Sequence, residues 1–221
     1  MSAWPPRDQI EFGSLLAYSP GLKDDPSHEL MIYLKNNLPL KDGSETACAV
    51  AHLLRQKIER ESVPFSDFFL GHEAVLVPVP KSSLMKPGDL WVPLEIARCM
   101  EKEGLGRVQV ALERVKSVPR SATSAPKDRP LPRAHYESLG IVKGRRIPDG
   151  AFVVLVDDIV TRGHTMFGAA MRILEGRPDV TVVGFAMIRT ISNPEDFKSS
   201  LDPVHGHIQF RPDKEDTLRR P

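Results

Sequence analysis

The run FVVLVDDIVTRGHTMFGAAMRIL, residues 152–174, constrains the fold of this chain more than any other feature. Residues 152–156 are apolar without interruption, which is typical of a strand buried on both faces of a parallel sheet. That strand ends in two carboxylates, Asp157 and Asp158. A short polar loop follows, and the apolar spacing after it predicts a helix over 165–176. The order of strand, acid pair, loop and helix therefore limits both the fold and the kind of ligand.

The loop TRGHT, residues 161–165, has the composition of an anion-binding turn. Gly163 allows backbone conformations that other residues avoid and lets a ligand approach closely. Successive N–H groups at a helix N-terminus form a pocket for an anion such as phosphate. Further donors and positive charge come from the side chains of Thr161, Arg162, His164 and Thr165. Since the neighbouring carboxylates repel phosphate, we expect them to face sugar hydroxyls, a divalent cation or both, so the predicted ligand is a phosphorylated sugar.

Strands and helices alternate along much of the chain. Apolar runs predict strands at 74–80, 106–112, 151–157 and 180–188, and helical periodicity predicts helices at 28–37, 44–61, 91–104 and 165–176. This alternation predicts an α/β fold, with a parallel sheet that carries helices on both faces. In such folds ligands bind beyond the carboxyl ends of the strands.

The texture of the sequence divides the chain into three parts. Residues 1–70 form a mostly helical N-terminal segment, residues 71–200 form the α/β core, and residues 201–221 form a polar C-terminal tail that we expect to be loose. Within the core, residues 113–140 show no sustained periodicity and are rich in Pro, Ser, Lys and Arg. A stretch of this length without regular structure is usually functional or disordered.

Composition excludes several classes of protein. The 30 Lys and Arg nearly balance the 29 Asp and Glu, which argues against a general nucleic-acid coat protein. The two cysteines, Cys48 and Cys99, fall within helical patterns and are predicted to be core thiols, neither a disulfide framework nor a zinc ribbon. The sequence shows no signal-peptide pattern and no apolar run of membrane-spanning length. We therefore expect a reduced, cytoplasmic, soluble protein.

The stretch VVLVDDIVTRGHT, residues 153–165, closely resembles the signature of type I phosphoribosyltransferases. The resemblance implies the parallel-sheet, Rossmann-like fold of that family, with residues 1–70 as a small hood over the sheet. It also implies that Asp157 and Asp158 hold the ribose 2'- and 3'-hydroxyls of phosphoribosyl pyrophosphate. The 5'-phosphate would then be held by Thr161, Arg162, Gly163, His164 and Thr165.

A second stretch, VLVPVPKSSLMKPGDLWVPLEIARCM at 75–100, resembles the ComF-like and amidophosphoribosyltransferase-like branch of the family. In that branch the loop after the strand handles the pyrophosphate, which implies this role for Lys81, Ser82 and Ser83. The basic segment 113–140 lies where the family keeps a mobile loop that closes over the active site. The resemblance makes Arg114, Lys116 and Arg120 candidates for neutralising the pyrophosphate.

The sequence also departs from the pattern of the family. ComF-like chains often carry an N-terminal four-cysteine metal ribbon, which two cysteines cannot build. Purine-salvage relatives have a carboxylate at the position of Thr161, where it acts near the base. A threonine is no general base at neutral pH, so the resemblance points to an acceptor that needs no such carboxylate.

The function implied is that of a pentosyltransferase of nucleotide metabolism. It would bind phosphoribosyl pyrophosphate with Mg²⁺, held through the ligand and by Asp157 and Asp158, and transfer the phosphoribosyl group to a nitrogen acceptor with release of pyrophosphate. Homodimers are common in the family. One alternative is a regulator that senses phosphoribosyl pyrophosphate or a nucleotide without chemistry. Another is a ComF-like accessory protein of DNA uptake or processing, which the single aromatic residue within 113–140, Tyr136, disfavours.

Overall fold

The structure is a computed structural model that describes residues 4–60, 63–119 and 130–221. Its strands and helices follow one another in the order β1 (Gln9–Tyr18), α1 (Pro26–Lys35), α2 (Thr46–Arg60), β2 (Ala74–Pro78), α3 (Val92–Lys102), β3 (Arg107–Val108), β4 (Leu112–Arg114), α4 (Pro132–Glu137), β5 (Leu139–Ile141), β6 (Phe152–Val160), α5 (His164–Gly176), β7 (Thr181–Thr190), β8 (Leu201–Arg211) and β9 (Asp216–Arg220). Short 3₁₀ turns lie at Ser66–Phe68 and Pro194–Asp196.

A central sheet of seven strands has the order β3-β2-β6-β7-β1-β8-β9. The neighbouring pairs from β3 to β1 are parallel, and β8 and β9 extend the sheet antiparallel to β1. The fold is therefore α/β with a mostly parallel sheet, as the alternation of elements predicted. Although β1 belongs to the N-terminal segment, it lies inside this sheet beside β7.

The strand side chains of β6 alternate between two hydrophobic cores, one on each face of the sheet. On one face Val154 and Val156 pack in a core with residues of α1, α2 and α3. On the other face Val153 and Leu155 pack in a core with residues of α5. Burying each large apolar side chain contributes about 1.5–3 kcal/mol relative to exposure. Helices thus cover both faces of the sheet, which explains why residues 152–156 of β6 are all apolar.

The structure corrects the expectation of a loose C-terminal tail. Residues 201–211 and 216–220 are β8 and β9, paired with β1 and with each other. Along β8 the buried Gly206, Ile208 and Phe210 alternate with the exposed His207 and Gln209. This two-residue period was present in the sequence, but the polar composition and the prolines of the segment outweighed it.

The predicted irregular segment 113–140 contains more regular structure than expected. Its two ends form β4 and β5, which pair as a separate antiparallel sheet, and α4 packs beside them on α5. Residues 120–129, including Arg120, lie outside the described residues.

Cys48 and Cys99 form a disulfide, so the prediction of two separate thiols is wrong. Cys48 lies on α2 and Cys99 on α3, and the packing of these helices brings the two Cα atoms within 4.9 Å. The pairing could not be seen in the sequence because 51 residues separate the cysteines. In the ranges that the structure describes, no helix has both the length and the apolar character needed to cross a membrane.

Candidate functional site

A pocket of about 540 Å³ opens at the carboxyl ends of β6, β7 and β1. One wall is residues 157–166, which run from the last residues of β6 into α5, together with Thr190 at the end of β7 and Ser192 after it. The other wall comes from the N-terminal segment, through Tyr18, Pro20, Met31 and Lys35. The two carboxylates and the five loop residues singled out in the sequence all line this pocket.

The two carboxylates are neighbours near the carboxyl end of β6, which continues for two residues beyond them. The backbone N–H of Asp158 donates to Oδ1 of Asp157 at 2.9 Å, and the N–H of Ile159 donates to Oδ1 of Asp158 at 2.8 Å. Burial raises the pKa of Asp157 well above its ordinary value, the negative charge of Asp158 raises it further, and Arg114 acts in the opposite direction. The pair therefore carries negative charge that the protein only partly offsets, and that a cation or hydroxyl donors would stabilise.

The loop after β6 turns at Gly163, whose φ of 84° lies in the left-handed region that glycine adopts readily. The helix α5 begins at the next residue, so the N–H groups of its first turn have no intrahelical acceptor. Three of the residues in that turn, His164, Thr165 and Met166, line the pocket. This is the arrangement of glycine and helix N-terminus that binds phosphate groups in proteins.

Side chains around the loop hold it in place. The hydroxyls of Thr161 and Thr190 are hydrogen-bonded at 3.1 Å, which ties the loop to the end of β7. On the other side, Nδ1 of His164 donates to the carbonyl oxygen of Pro130 at 3.0 Å. The hydroxyl of Thr165 lies 3.4 Å from Nε2 of His135. Burial lowers the pKa of His135 to about 3, with smaller effects from Arg114 and His164, so this imidazole is neutral near pH 7.

Arg114 is not a residue of a mobile loop, in contrast to the sequence-based expectation. It lies on β4 with an exposed fraction of 5%, because the pairing of β4 with β5 places it inside the protein. Its guanidinium donates to the carbonyl oxygens of Lys81 at 2.7 Å and Pro80 at 3.2 Å, and to the hydroxyl of Ser138 at 2.5 Å. Burial lowers the pKa of Arg114 to about 10, and the charge of Asp157 acts against this shift.

The predicted pyrophosphate loop leaves the sheet beside the carboxylate pair. Since β2 and β6 are parallel and Pro78 lies opposite Val156, the loops after both strands start from the same edge of the sheet. Among the described residues that line the pocket, however, there is no contribution from Lys81, Ser82 or Ser83. Nζ of Lys81 lies 3.6 Å from Oδ2 of Asp89, and the other mobile-loop candidate that the structure describes, Lys116, is exposed.

Several pocket residues were not found from the sequence. Thr190 and Ser192 follow the apolar strand 180–188, and the rule that parallel strands end at one edge of the sheet could have located them. Tyr18, Met31 and Lys35 gave no such signal, because the sequence does not show that β1 lies beside β7.

Comparison with solved structures finds hypoxanthine phosphoribosyltransferases. The enzyme of Staphylococcus aureus is 12% identical, with a TM-score of 0.37, and the match covers 71% of this chain and 78% of that chain. A Trypanosoma cruzi enzyme in a ternary complex with substrates is 12% identical, with a TM-score of 0.34 and coverage of 85% and 93%. The Trypanosoma cruzi enzyme in complex with the product IMP is 13% identical, with a TM-score of 0.32 and coverage of 85% and 92%. No protein-family model and no curated protein sequence matches the chain.

Proposed function

We propose that this chain is a phosphoribosyltransferase that binds phosphoribosyl pyrophosphate with Mg²⁺ and transfers the phosphoribosyl group to a nitrogen acceptor. The observation that carries the proposal is the combination, in one pocket, of the carboxylate pair at the end of β6 and the glycine-led N-terminus of α5. The resemblance of residues 153–165 to the signature of type I phosphoribosyltransferases supports it.

The sugar phosphate would lie along the wall from Asp157 to Met166. The 5'-phosphate accepts hydrogen bonds from the N–H groups of the first turn of α5, which have no acceptor within the helix, and from the hydroxyl of Thr165. The ribose 2'- and 3'-hydroxyls donate to Asp157 and Asp158. Hydrogen bonds of this kind, with a charged acceptor, contribute about 1.5–3 kcal/mol each.

The donor set fits Mg²⁺, which prefers the oxygens of carboxylates and phosphates. The described residues contain no group of three or more His, Cys, Asp and Glu that could hold a metal ion. The cation would therefore be held mainly by oxygens of the ligand, with Asp157 and Asp158 as the protein groups beside it. When bound, Mg²⁺ neutralises charge on the departing pyrophosphate.

The reaction is a substitution at ribose C1. The bond from C1 to the pyrophosphate oxygen breaks, the bond from C1 to the acceptor nitrogen forms, and the proton of that nitrogen leaves to solvent or to pyrophosphate. The protein binds the sugar at both ends, and the two carboxylates stabilise the positive charge that develops on the ring. Arg114 holds the carbonyls of Pro80 and Lys81, and so fixes the backbone that would meet the pyrophosphate.

The acceptor would enter against the N-terminal wall of the pocket. Tyr18, Met31 and Lys35 give this wall an aromatic ring, a thioether and an ammonium group. Thr161 gives the loop a hydroxyl where purine-salvage relatives have a carboxylate. We therefore infer an acceptor whose nitrogen is nucleophilic without a protein base.

Pyrophosphate release tests the proposal. The protein is incubated with labelled phosphoribosyl pyrophosphate and Mg²⁺, with ammonia or a panel of heterocyclic bases, and pyrophosphate and new N-glycosides are measured by mass spectrometry. We expect release that depends on one acceptor and is lost in the Asp157→Asn, Asp158→Asn double variant. Tight binding without release for any acceptor would favour the sensor, and absence of binding would overturn the proposal.

A further inference from the structure

The C-terminal hairpin, defined as β8, β9 and the turn between them, contacts the phosphate loop 161–165 from outside the pocket. The hydroxyl of Thr217 donates to the carbonyl oxygen of Arg162 at 2.9 Å. Thr217 is 1% exposed, so its hydroxyl is shielded from water, although Arg162 is itself exposed. A hydrogen bond of this kind contributes about 0.5–1.5 kcal/mol, which favours a single orientation of the Arg162–Gly163 peptide.

That orientation decides where the next N–H points. In a trans peptide the C=O and the N–H point in opposite directions. Because the carbonyl of Arg162 points to the hairpin, the N–H of Gly163 points away from it. Gly163 itself lines the pocket, so the hydrogen bond from Thr217 presents this N–H on the pocket side. Because glycine adopts many φ values at low cost, the peptide before Gly163 could otherwise rotate, and the hydrogen bond from Thr217 restricts this rotation.

A second contact supports the turn from below. A Cβ atom placed on Gly163 would lie 2.6 Å from Cδ1 and 2.8 Å from Cγ2 of Ile208, which is fully buried on β8. The backbone of the turn therefore rests directly on this side chain. The left-handed φ and the contact with Ile208 each exclude a larger residue at position 163.

The negative charge of Asp216 on the hairpin also interacts with positive charge on the loop. Both carboxylate oxygens of Asp216 accept from Arg211, at 2.7 and 2.6 Å. Burial acts to raise the pKa of Asp216, but the hydrogen bonds from Arg211 and the charges of Arg211, His164 and Arg162 lower it overall. On the same hairpin, Arg219 donates to the carbonyl oxygen of Thr190, a residue of the pocket. The hairpin thus holds the loop and the adjoining end of β7 together.

We infer that the C-terminal hairpin positions the phosphate loop, with Thr217 and Ile208 as positioning residues for the phosphate of the sugar ligand. The inference rests on the proposed function, because the bound phosphate is taken to be the 5'-phosphate of ribose. Neither residue lines the pocket, so both act through the backbone of Arg162 and Gly163.

Calorimetric titration with ribose 5-phosphate tests this role. Thr217→Val keeps the shape of the side chain but removes the donor, and we expect about tenfold weaker binding. Thr217→Ser keeps the hydroxyl and should bind as the wild type does. Binding of pyrophosphate alone should be the same in all three proteins, since β8 and β9 lie at the opposite end of the sheet from β2, the strand that precedes residues 81–83.

Thr46→Val is the matched control. The hydroxyl of Thr46 is also buried and donates to a backbone carbonyl, that of Leu38 at 2.6 Å, but Thr46 does not line the pocket. This variant should lose thermal stability as Thr217→Val does, and keep its affinity for ribose 5-phosphate. If Thr217→Val does not fold, Ile208→Val replaces it, with an expected loss of about threefold.

The outcomes separate the inference from the proposed function. Equal affinity of wild type and Thr217→Val for ribose 5-phosphate would overturn the positioning role and leave the proposed function intact. Weaker binding by Thr217→Val, in a protein that releases no pyrophosphate with any acceptor, would support the positioning role and count against the transferase. A wild type that binds no ribose 5-phosphate would overturn both.

Discussion

The adjacent carboxylates Asp157 and Asp158, near the end of β6, are partly buried, and their negative charges repel each other. The raised pKa of Asp157 records this cost, and Arg114 offsets only part of it. A fold that keeps such a pair gains nothing in stability from it, so the benefit must lie in binding. This reasoning at the residue scale links the electrostatics of the pocket to the proposed Mg²⁺ and ribose hydroxyls.

Replacing Asp157 by Asn should change the pH dependence of stability. A raised pKa means that the folded protein holds the proton more tightly than the unfolded chain does. Its free energy of unfolding therefore falls as the pH rises from the ordinary carboxyl pKa to the raised one. We expect Asp157→Asn to lack this fall and to be at least as stable as the wild type at neutral pH, measured by urea unfolding between pH 4 and 8.

Asp24→Asn is the control for that series, because Asp24 is an exposed carboxylate outside the pocket. It should keep the wild-type pH profile. Parallel profiles for the wild type and Asp157→Asn would show that Asp157 is not perturbed by its surroundings.

Arg114 should matter for both stability and pyrophosphate binding. Arg114→Met leaves the carbonyls of Pro80 and Lys81 and the hydroxyl of Ser138 without this donor, and we expect a loss of about 2–4 kcal/mol in the free energy of unfolding. Arg114→Lys keeps the charge but cannot donate to all three acceptors, so its free energy of unfolding should lie between those of the wild type and Arg114→Met.

The measurement is urea unfolding, together with titration of pyrophosphate and of ribose 5-phosphate. Pyrophosphate affinity should fall more than ribose 5-phosphate affinity in both Arg114 variants. Arg133→Met, at an exposed position on α4, should change neither affinity. An equal loss for both ligands would contradict a specific effect on the loop after β2.

The sequence predicts which residues come together when those residues are close along the chain. The acids and the loop of 153–165 come together because one strand, one turn and one helix carry them. Arg114 was misplaced because its hydrogen-bond partner Lys81 is 33 residues away and the pairing of β4 with β5 was not foreseen. Thr217 was missed for the same reason, since 55 residues separate it from Arg162.

At the scale of elements, the C-terminal hairpin shows that hydrophobic periodicity alone does not decide whether a polar segment forms a strand. A half-buried strand alternates apolar and polar residues, and β8 does so. The three prolines and the many charged residues in 201–221 nevertheless favoured the prediction of a tail. The strand predictions at 74–80, 151–157 and 180–188 correspond to β2, β6 and β7. Those strands are central and buried on both faces, so their apolar runs are unambiguous.

The link between α2 and α3 gives a prediction at this scale. A disulfide that closes a loop of about 50 residues stabilises a protein by roughly 2–4 kcal/mol, mainly by restricting the unfolded chain. Reductant should therefore lower the urea midpoint of the wild type and leave the Cys48→Ser, Cys99→Ser double variant unchanged. Rapid alkylation of both cysteines in the native, unreduced protein would contradict the disulfide.

At the scale of the whole molecule, the pocket brings together segments from both ends of the chain. The N-terminal segment supplies Tyr18 and Lys35, the core supplies residues 157–166, and the C-terminal hairpin contacts the loop 161–165 from outside the pocket. The sheet order explains the convergence, because β1 lies between β7 and β8. The α/β class follows from the sequence, whereas this order depends on pairings between distant strands that no local pattern reveals.

The most direct test of the account is calorimetric titration of phosphoribosyl pyrophosphate in the presence of Mg²⁺, with wild type and the Asp157→Asn, Asp158→Asn double variant. Asn keeps the size and one acceptor oxygen but loses the charge. We expect the wild type to bind, and the double variant to bind phosphoribosyl pyrophosphate at least about tenfold more weakly while its affinity for inorganic phosphate is unchanged or higher. Equal affinity of the two proteins for phosphoribosyl pyrophosphate, or a double variant that is less stable without ligand, would show that the carboxylates are structural and would contradict the account.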